Sequence, residues 1–114
     1  MKFIDSAHSQ LLANAMDAYT LRHRISASNI ANIDTPGFNK HQVDFEQELQ
    51  KAQKAGNTEN MNQVRPSITI TDSAPVLEDE LLEMSDTQMR VDLVTRSLRH
   101  HFEMLRTGIT GINR

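Results

Sequence analysis

From Leu77 onward, one apolar stripe runs almost uninterrupted to the end of the chain. Alternating steps of four and three residues visit Leu77, Leu81, Met84, Gln88, Val91, Thr95, Leu98, Phe102, Leu105, Ile109 and Ile112. Only Gln88 and Thr95 put polar side chains on it. A heptad pattern sustained over about five repeats is the mark of a coiled-coil helix, which buries a narrow stripe against another helix. Gly108 and Gly111 weaken the last turns, because glycine costs about 1 kcal/mol relative to alanine inside a helix.

Such a helix needs a partner, and the start of the chain offers one. Residues 5 to 33 contain neither Gly nor Pro, the first breaker being Pro36. Ile4, Leu11, Leu12, Ala15, Ala18, Tyr19, Ile25, Ile30 and Ile33 share one broad arc of a helical wheel. His8, Arg22 and Asn29 fall inside the same arc, and Asp5 or Ser6 is placed to cap its start. Composition points the same way. Of 114 residues 38% are hydrophobic and 4% aromatic, with no Trp. So few rings cannot fill a thick core, whereas two or three long helices sharing one seam need none. A chain this small buries only about 60% of its unfolded surface, so much of its stability is expected to come from neighbours, and the monomer to be only partly ordered.

Between the helices, Asp34-Thr35-Pro36-Gly37-Phe38 ends the first one. Proline pushes Thr35 out of the helical region, and Gly37 permits the positive φ of a type II turn. Val43 to Leu49 reads as a short helix, and Gln50 to Asn62 as a polar loop. Ile68-Thr69-Ile70-Thr71 alternates at period two and reads as a lone strand, for which pairing with another chain is expected. The predicted fold is therefore mostly α. Long helices over 1–33 and 77–114 form a coiled-coil-like pair, joined by a short irregular segment over 34–76 with minor β, all in one structural unit.

Several function classes find no support. Twelve basic and 15 acidic residues give a net charge of −3, and no basic face appears of the kind nucleic-acid binding uses. The absence of Cys excludes disulfides, thiolate metal sites and Cys nucleophiles. No basic start followed by an apolar run marks a cleavable signal peptide, and no stretch approaches a membrane span. His8, His23, His41, His100 and His101 contain no i, i+3 or i, i+4 pair, the spacing that converges on a metal ion. Glu78, Glu80 and Glu83 stand at a helix start, where carboxylates favour the helix dipole over acid–base work. Phosphate loops, nucleophile elbows and HExxH are missing. No catalytic, cofactor-binding or metal residue is assigned, and no cofactor is expected. Of the methionines, Met84 lies on the heptad stripe and suits packing, while Met89 and Met104 lie off it and suit a second neighbour.

Arg22 and Asn29 need partners if they are buried where the arc puts them. They either reach solvent at the rim or meet groups on another helix, fixing register as polar core residues do in coiled coils. Ser26-Ala27-Ser28-Asn29-Ile30-Ala31-Asn32-Ile33-Asp34-Thr35-Pro36-Gly37-Phe38 resembles the N-terminal signature of flagellar rod and hook proteins. In that family a helix carries Asn-(Ile/Leu)-Ala-Asn and ends at Thr-x-Gly-(Phe/Tyr). Val43-Asp44-Phe45 and the short middle segment resemble the family's proximal, B-type rod branch. The C-type proximal branch, or a small helical export chaperone or adaptor, is the alternative. Ala74-Pro75-Val76-Leu77 departs from the family's usual entry to the last helix.

The resemblance implies a structural subunit, not an enzyme, that self-assembles into the periplasmic rod around the export channel. It implies passage through the flagellar type III apparatus without a cleaved signal. It also implies contacts with further copies, other rod subunits, and the ring and export-gate proteins of the basal body. The assembly motif is expected at Asn29, Ile30, Ala31, Asn32, Thr35, Pro36, Gly37 and Phe38. The helix-seam interface is expected at Leu81, Met84, Val91, Leu98, Phe102, Leu105 and Ile109. Within the motif, Gly37→Val and Asn29→Leu are expected to leave export intact and to impair assembly, Gly37→Val the more.

Overall fold

The computed structural model describes the backbone over residues 2–56 and 61–112, and the side chains over 7–56 and 61–108. A compact chain of about 100 residues has a radius of gyration near 13 Å. Here it is 17.7 Å, and the molecule measures 65 × 29 × 14 Å. Two long helices set that shape: α1 (Lys2–Ala31) and α3 (Leu77–Ile112). They run antiparallel, since Asn29 meets Glu80 near one end of the pair and His8 meets His101 near the other. Between them in sequence come β1 (His41–Asp44), α2 (Glu46–Lys54) and β2 (Ser67–Ile70).

The ends of α1 follow from its residues. After Ala31 the chain tightens into turns, with Ile33 N–H donating to Ile30 O at 3.2 Å and Thr35 N–H to Asn32 O at 3.0 Å. The helix thus stops two residues short of its expected end at 33. Phe38 N–H then donates to Thr35 O at 3.2 Å across Pro36 and Gly37, whose φ is +77°. That is the type II turn the Pro-Gly pair implies.

The middle segment corrects two expectations. β2 is not left for another chain: it pairs antiparallel with β1, His41 opposite Ile70 and Val43 opposite Ile68. The sequence hides β1 because Val43 is its only aliphatic residue. The turn at Gly37 nevertheless delivers it beside α1, and Val43 is buried there. Lys40 N–H donates to Ser73 O and Thr71 N–H to Lys40 O, which extends the pairing beyond the strands. Nor is Val43 to Leu49 one short helix. Val43 and Asp44 finish β1, Phe45 is the non-helical cap residue, and α2 begins at Glu46 and continues to Lys54, into the expected loop. Glu46 and Glu48 in its first turn and Lys51 and Lys54 in its last complement the helix dipole.

The core is thin. Ala15, Ala18, Tyr19, Phe45 and Val94 form it, with Leu12, Met16, Leu49, Val64, Val91 and Leu98 packed at its margin. Burying rings such as Phe45 and Tyr19 contributes about 1.5–3 kcal/mol each. Ala18 is wholly buried, and so small a side chain allows close approach to α1. Asn14, also buried, accepts from Gln10 and donates to Asn62 O at 2.7 Å, tying the later middle segment to α1.

The third correction concerns α3. The stripe facing α1 is not the apolar heptad but its neighbour: Glu80, Thr87 and Val94 are buried, each seven residues from the next. Met84, Val91 and Leu98 are half-buried along the edge of the contact, and Leu81 and Phe102 are 53% and 59% exposed. The helix is turned by less than one residue step, because Asn29 and Lys40 draw the Glu80 carboxylate inward.

Candidate assembly interface

Arg22 projects from α1 toward the junction of β1 and α2. Its Nη1 donates to Glu46 Oε1 at 2.6 Å, and its Nη2 donates to the other Glu46 oxygen and to Val43 O. This is the two-pronged arginine–carboxylate arrangement, the strongest of the common ion pairs. The guanidinium also lies over the Tyr19 ring, 5.6 Å from its centroid, a favourable cation–π position. Glu83 approaches from α3 at 3.9 Å, and Arg90 reaches Glu46 at 3.4 Å. Hydrogen bonding to Arg22 holds the Glu46 carboxyl below the usual carboxylate range, and the same bond raises Arg22. Bonding to Asp86 raises Arg90. One polar residue of the α1 arc thus ties three helices and a strand together.

Asn29 does the same at the next layer. It is 1% exposed and uses its whole amide. Nδ2 donates to His41 O at 2.8 Å and to Glu80 Oε1 at 3.1 Å, while Oδ1 accepts from His41 N–H at 3.0 Å. Lys40 Nζ lies 3.3 Å from the same Glu80 oxygen. Arg22 and Asn29 are therefore partnered interior groups, not rim residues reaching for water. Glu80 is what the sequence reading missed. Surrounded by Glu78, Asp79 and Glu83 it passes for a solvated member of an acidic first turn. The signal was its place seven residues before Thr87 and fourteen before Val94.

The remaining motif residues shape the turn. Asn32 Nδ2 donates to Ser28 O at 2.9 Å, and its Oδ1 accepts from Thr35 Oγ at 3.2 Å. Ile30 is half-buried, and Ala31, Thr35, Pro36 and Gly37 are exposed. Phe38 stacks on His41 with ring centroids 5.1 Å apart. The structure therefore brings Asn29, Asn32, Thr35 and Phe38 into one capped, hydrogen-bonded reversal.

The seam residues divide. Val91 and Leu98 touch the margin of the core and Met84 is half-buried, while Leu81, Phe102 and Leu105 stay open, with Leu77 beside them. The side chain of Ile109 lies outside the described residues. Leu82, Met89, Leu93 and Met104 are exposed elsewhere around α3. Among the described residues there is no cluster of three metal-ligating side chains, and no helix is long and apolar enough to cross a membrane.

A hydrogen-bonded Asn-Ile-Ala-Asn reversal joined to an antiparallel pair of long helices defines a protein class, and comparison with known proteins agrees. A family profile described as "Flagella basal body rod protein" matches residues 10–39, most of α1 and the turn. A relative from Borrelia hermsii is 32% identical, the alignment covering 88% of this chain and 90% of the relative. The chain belongs to the flagellar basal body rod protein family, a family of structural rod proteins. The Borrelia hermsii protein is named flagellar basal body rod protein FlgB. So are relatives from Borreliella burgdorferi, 36% identical over 56% of this chain and 44% of theirs, and from Proteus mirabilis, 46% identical over 39% and 32%.

Proposed function

We propose that this chain is a structural, non-enzymatic subunit of the proximal part of the flagellar rod, built into it through the half-covered stripe of α3. The observation that carries this is the division of one heptad pattern between two fates. Val91 and Leu98 rest on the chain's own core, with Met84 half-buried, and Leu81, Phe102 and Leu105 on the same repeat are exposed. A heptad stripe is complete only when a second helix covers it. Its expected cover is a helix of another copy or of another rod subunit, and repeating such a head-to-tail contact builds a helical tube. The motif reversal from Asn29 to Phe38 holds the hairpin and α2 in place around this contact. Export without a cleaved signal, a periplasmic location, and contact with ring and export-gate proteins follow from the family resemblance.

The test is a pair of substitutions on α3. Phe102→Asp removes a side chain already 59% exposed, so the monomer's helix content should be unchanged. In the rod the same change loses a packed ring, at about 3–5 kcal/mol, and buries an unpaired charge besides. Phe102→Asp should therefore be secreted normally and fail to complete the rod, while Arg99→Asp, off the stripe, should swim nearly normally. Wild-type swimming by Phe102→Asp would refute the assignment.

A further inference from the structure

We infer that Glu80 sets the axial register of α3 on α1, acting as a positioning residue through Asn29. The helix pair repeats its layers every seven residues. Asn29 meets Glu80, and three heptads along both helices His8 meets His101, with ring centroids 5.5 Å apart. Layers so repeated are nearly equivalent under a slide of one heptad, and most of them do not resist it. The Ala15, Ala18 and Val94 contact is apolar and non-directional. Thr87 is 1% exposed, yet its hydroxyl has no hydrogen-bond partner, so this layer does not select its position. The ring nitrogen Nε2 of His101 is likewise buried without a hydrogen bond.

Of the four layers just named, that of Glu80 is the one with directional polar partners on both sides. Its carboxylate is 1% exposed and receives both the Asn29 amide at 3.1 Å and Lys40 Nζ at 3.3 Å. A buried charge displaced from such partners is costly. The competing register is also identifiable. Sliding α3 by seven residues toward the start of α1 brings Glu80 level with Arg22, which would make an attractive pair. In the observed register Arg22 is already taken by Glu46 from two sides. Glu46 thus occupies a cation that would reward the slide, and Asn29 with Lys40 rewards staying. This is the part a buried Asn plays in coiled coils, with the acceptor supplied from an acidic first turn. The inference concerns contacts within one chain and does not depend on how copies assemble.

The chain has no cysteine, so two can be introduced for spin labels at Thr20 and His100, both exposed. At about 1.5 Å per residue, a one-heptad slide in that direction lengthens the separation along the axis by about 10 Å. Pulsed EPR on the labelled full chain should show one distance in the parent. Glu80→Gln, which keeps an acceptor for Asn29, should hold the parent distance. Glu80→Leu should add a second distance, longer by several ångströms up to about 10 Å. A single parent distance in Glu80→Leu, or equal shifts in Leu and Gln, would overturn the inference. If Glu80→Leu loses its helix content, Asn29→Ala decides instead: a second, longer distance supports the assignment and an unchanged single one overturns it.

Discussion

Two substitutions in the signature turn separate a backbone requirement from a buried polar one. At Gly37 the φ of +77° is the whole constraint, because a Cβ built there would meet nothing within 4 Å. Gly37→Val then costs only backbone strain, on the order of 1–2 kcal/mol. Asn29→Leu leaves the Glu80 carboxylate short of a donor and both His41 backbone groups unpaired. Each orphaned group costs about 1–3 kcal/mol, and more for a charged one. For the stability of the isolated chain, Asn29→Leu should therefore be the more destabilising of the two. Urea denaturation of the two purified variants would show it as a lower midpoint for Asn29→Leu. Export should survive both, which secreted protein measured in the same strains would show.

The helices were legible in the sequence because their periodicity is written over many residues, and local exceptions average out. The hairpin was not, because β1 is four residues long and carries one aliphatic side chain; its position is decided by the turn before it and by Asn29 beneath it. The stripe of α3 was read with the right period and the wrong phase. Hydropathy weights Leu81 and Phe102 above Glu80 and Thr87, and it cannot anticipate that a carboxylate will be drawn inward by an amide and an ammonium on another element. The site was legible as far as Asn29 and Arg22 wanting partners, and no further, since Glu46, Lys40 and Glu80 look like ordinary surface charges. The phase has a measurable consequence. Thr87→Val should stabilise the isolated chain, because it removes a buried hydroxyl that has no partner, and a near-isosteric apolar group avoids that desolvation cost. A thermal melt should move upward by a few degrees.

Across the whole molecule the pairing of α1, α2 and α3 should respond to acid. The Glu46 carboxyl is held below its usual range chiefly by the hydrogen bond from Arg22. Its folded form therefore releases its proton more readily than the unfolded chain does. The associated stability is fully present above the ordinary glutamate value of about 4.3 and is lost as pH falls through the lower folded value. Helicity followed by circular dichroism from neutral pH to pH 3 should decline across that window, and Glu46→Gln should flatten the decline while lowering stability at neutral pH. The chain also carries its own optical probe for such work. Tyr19 is its only tyrosine and there is no tryptophan, so nearly all its intrinsic emission comes from one ring, 7% exposed, in the core between α1 and α3. Any event that parts those helices exposes this single fluorophore to water. Emission intensity and quenching by added iodide therefore count closed and opened molecules directly, without a label.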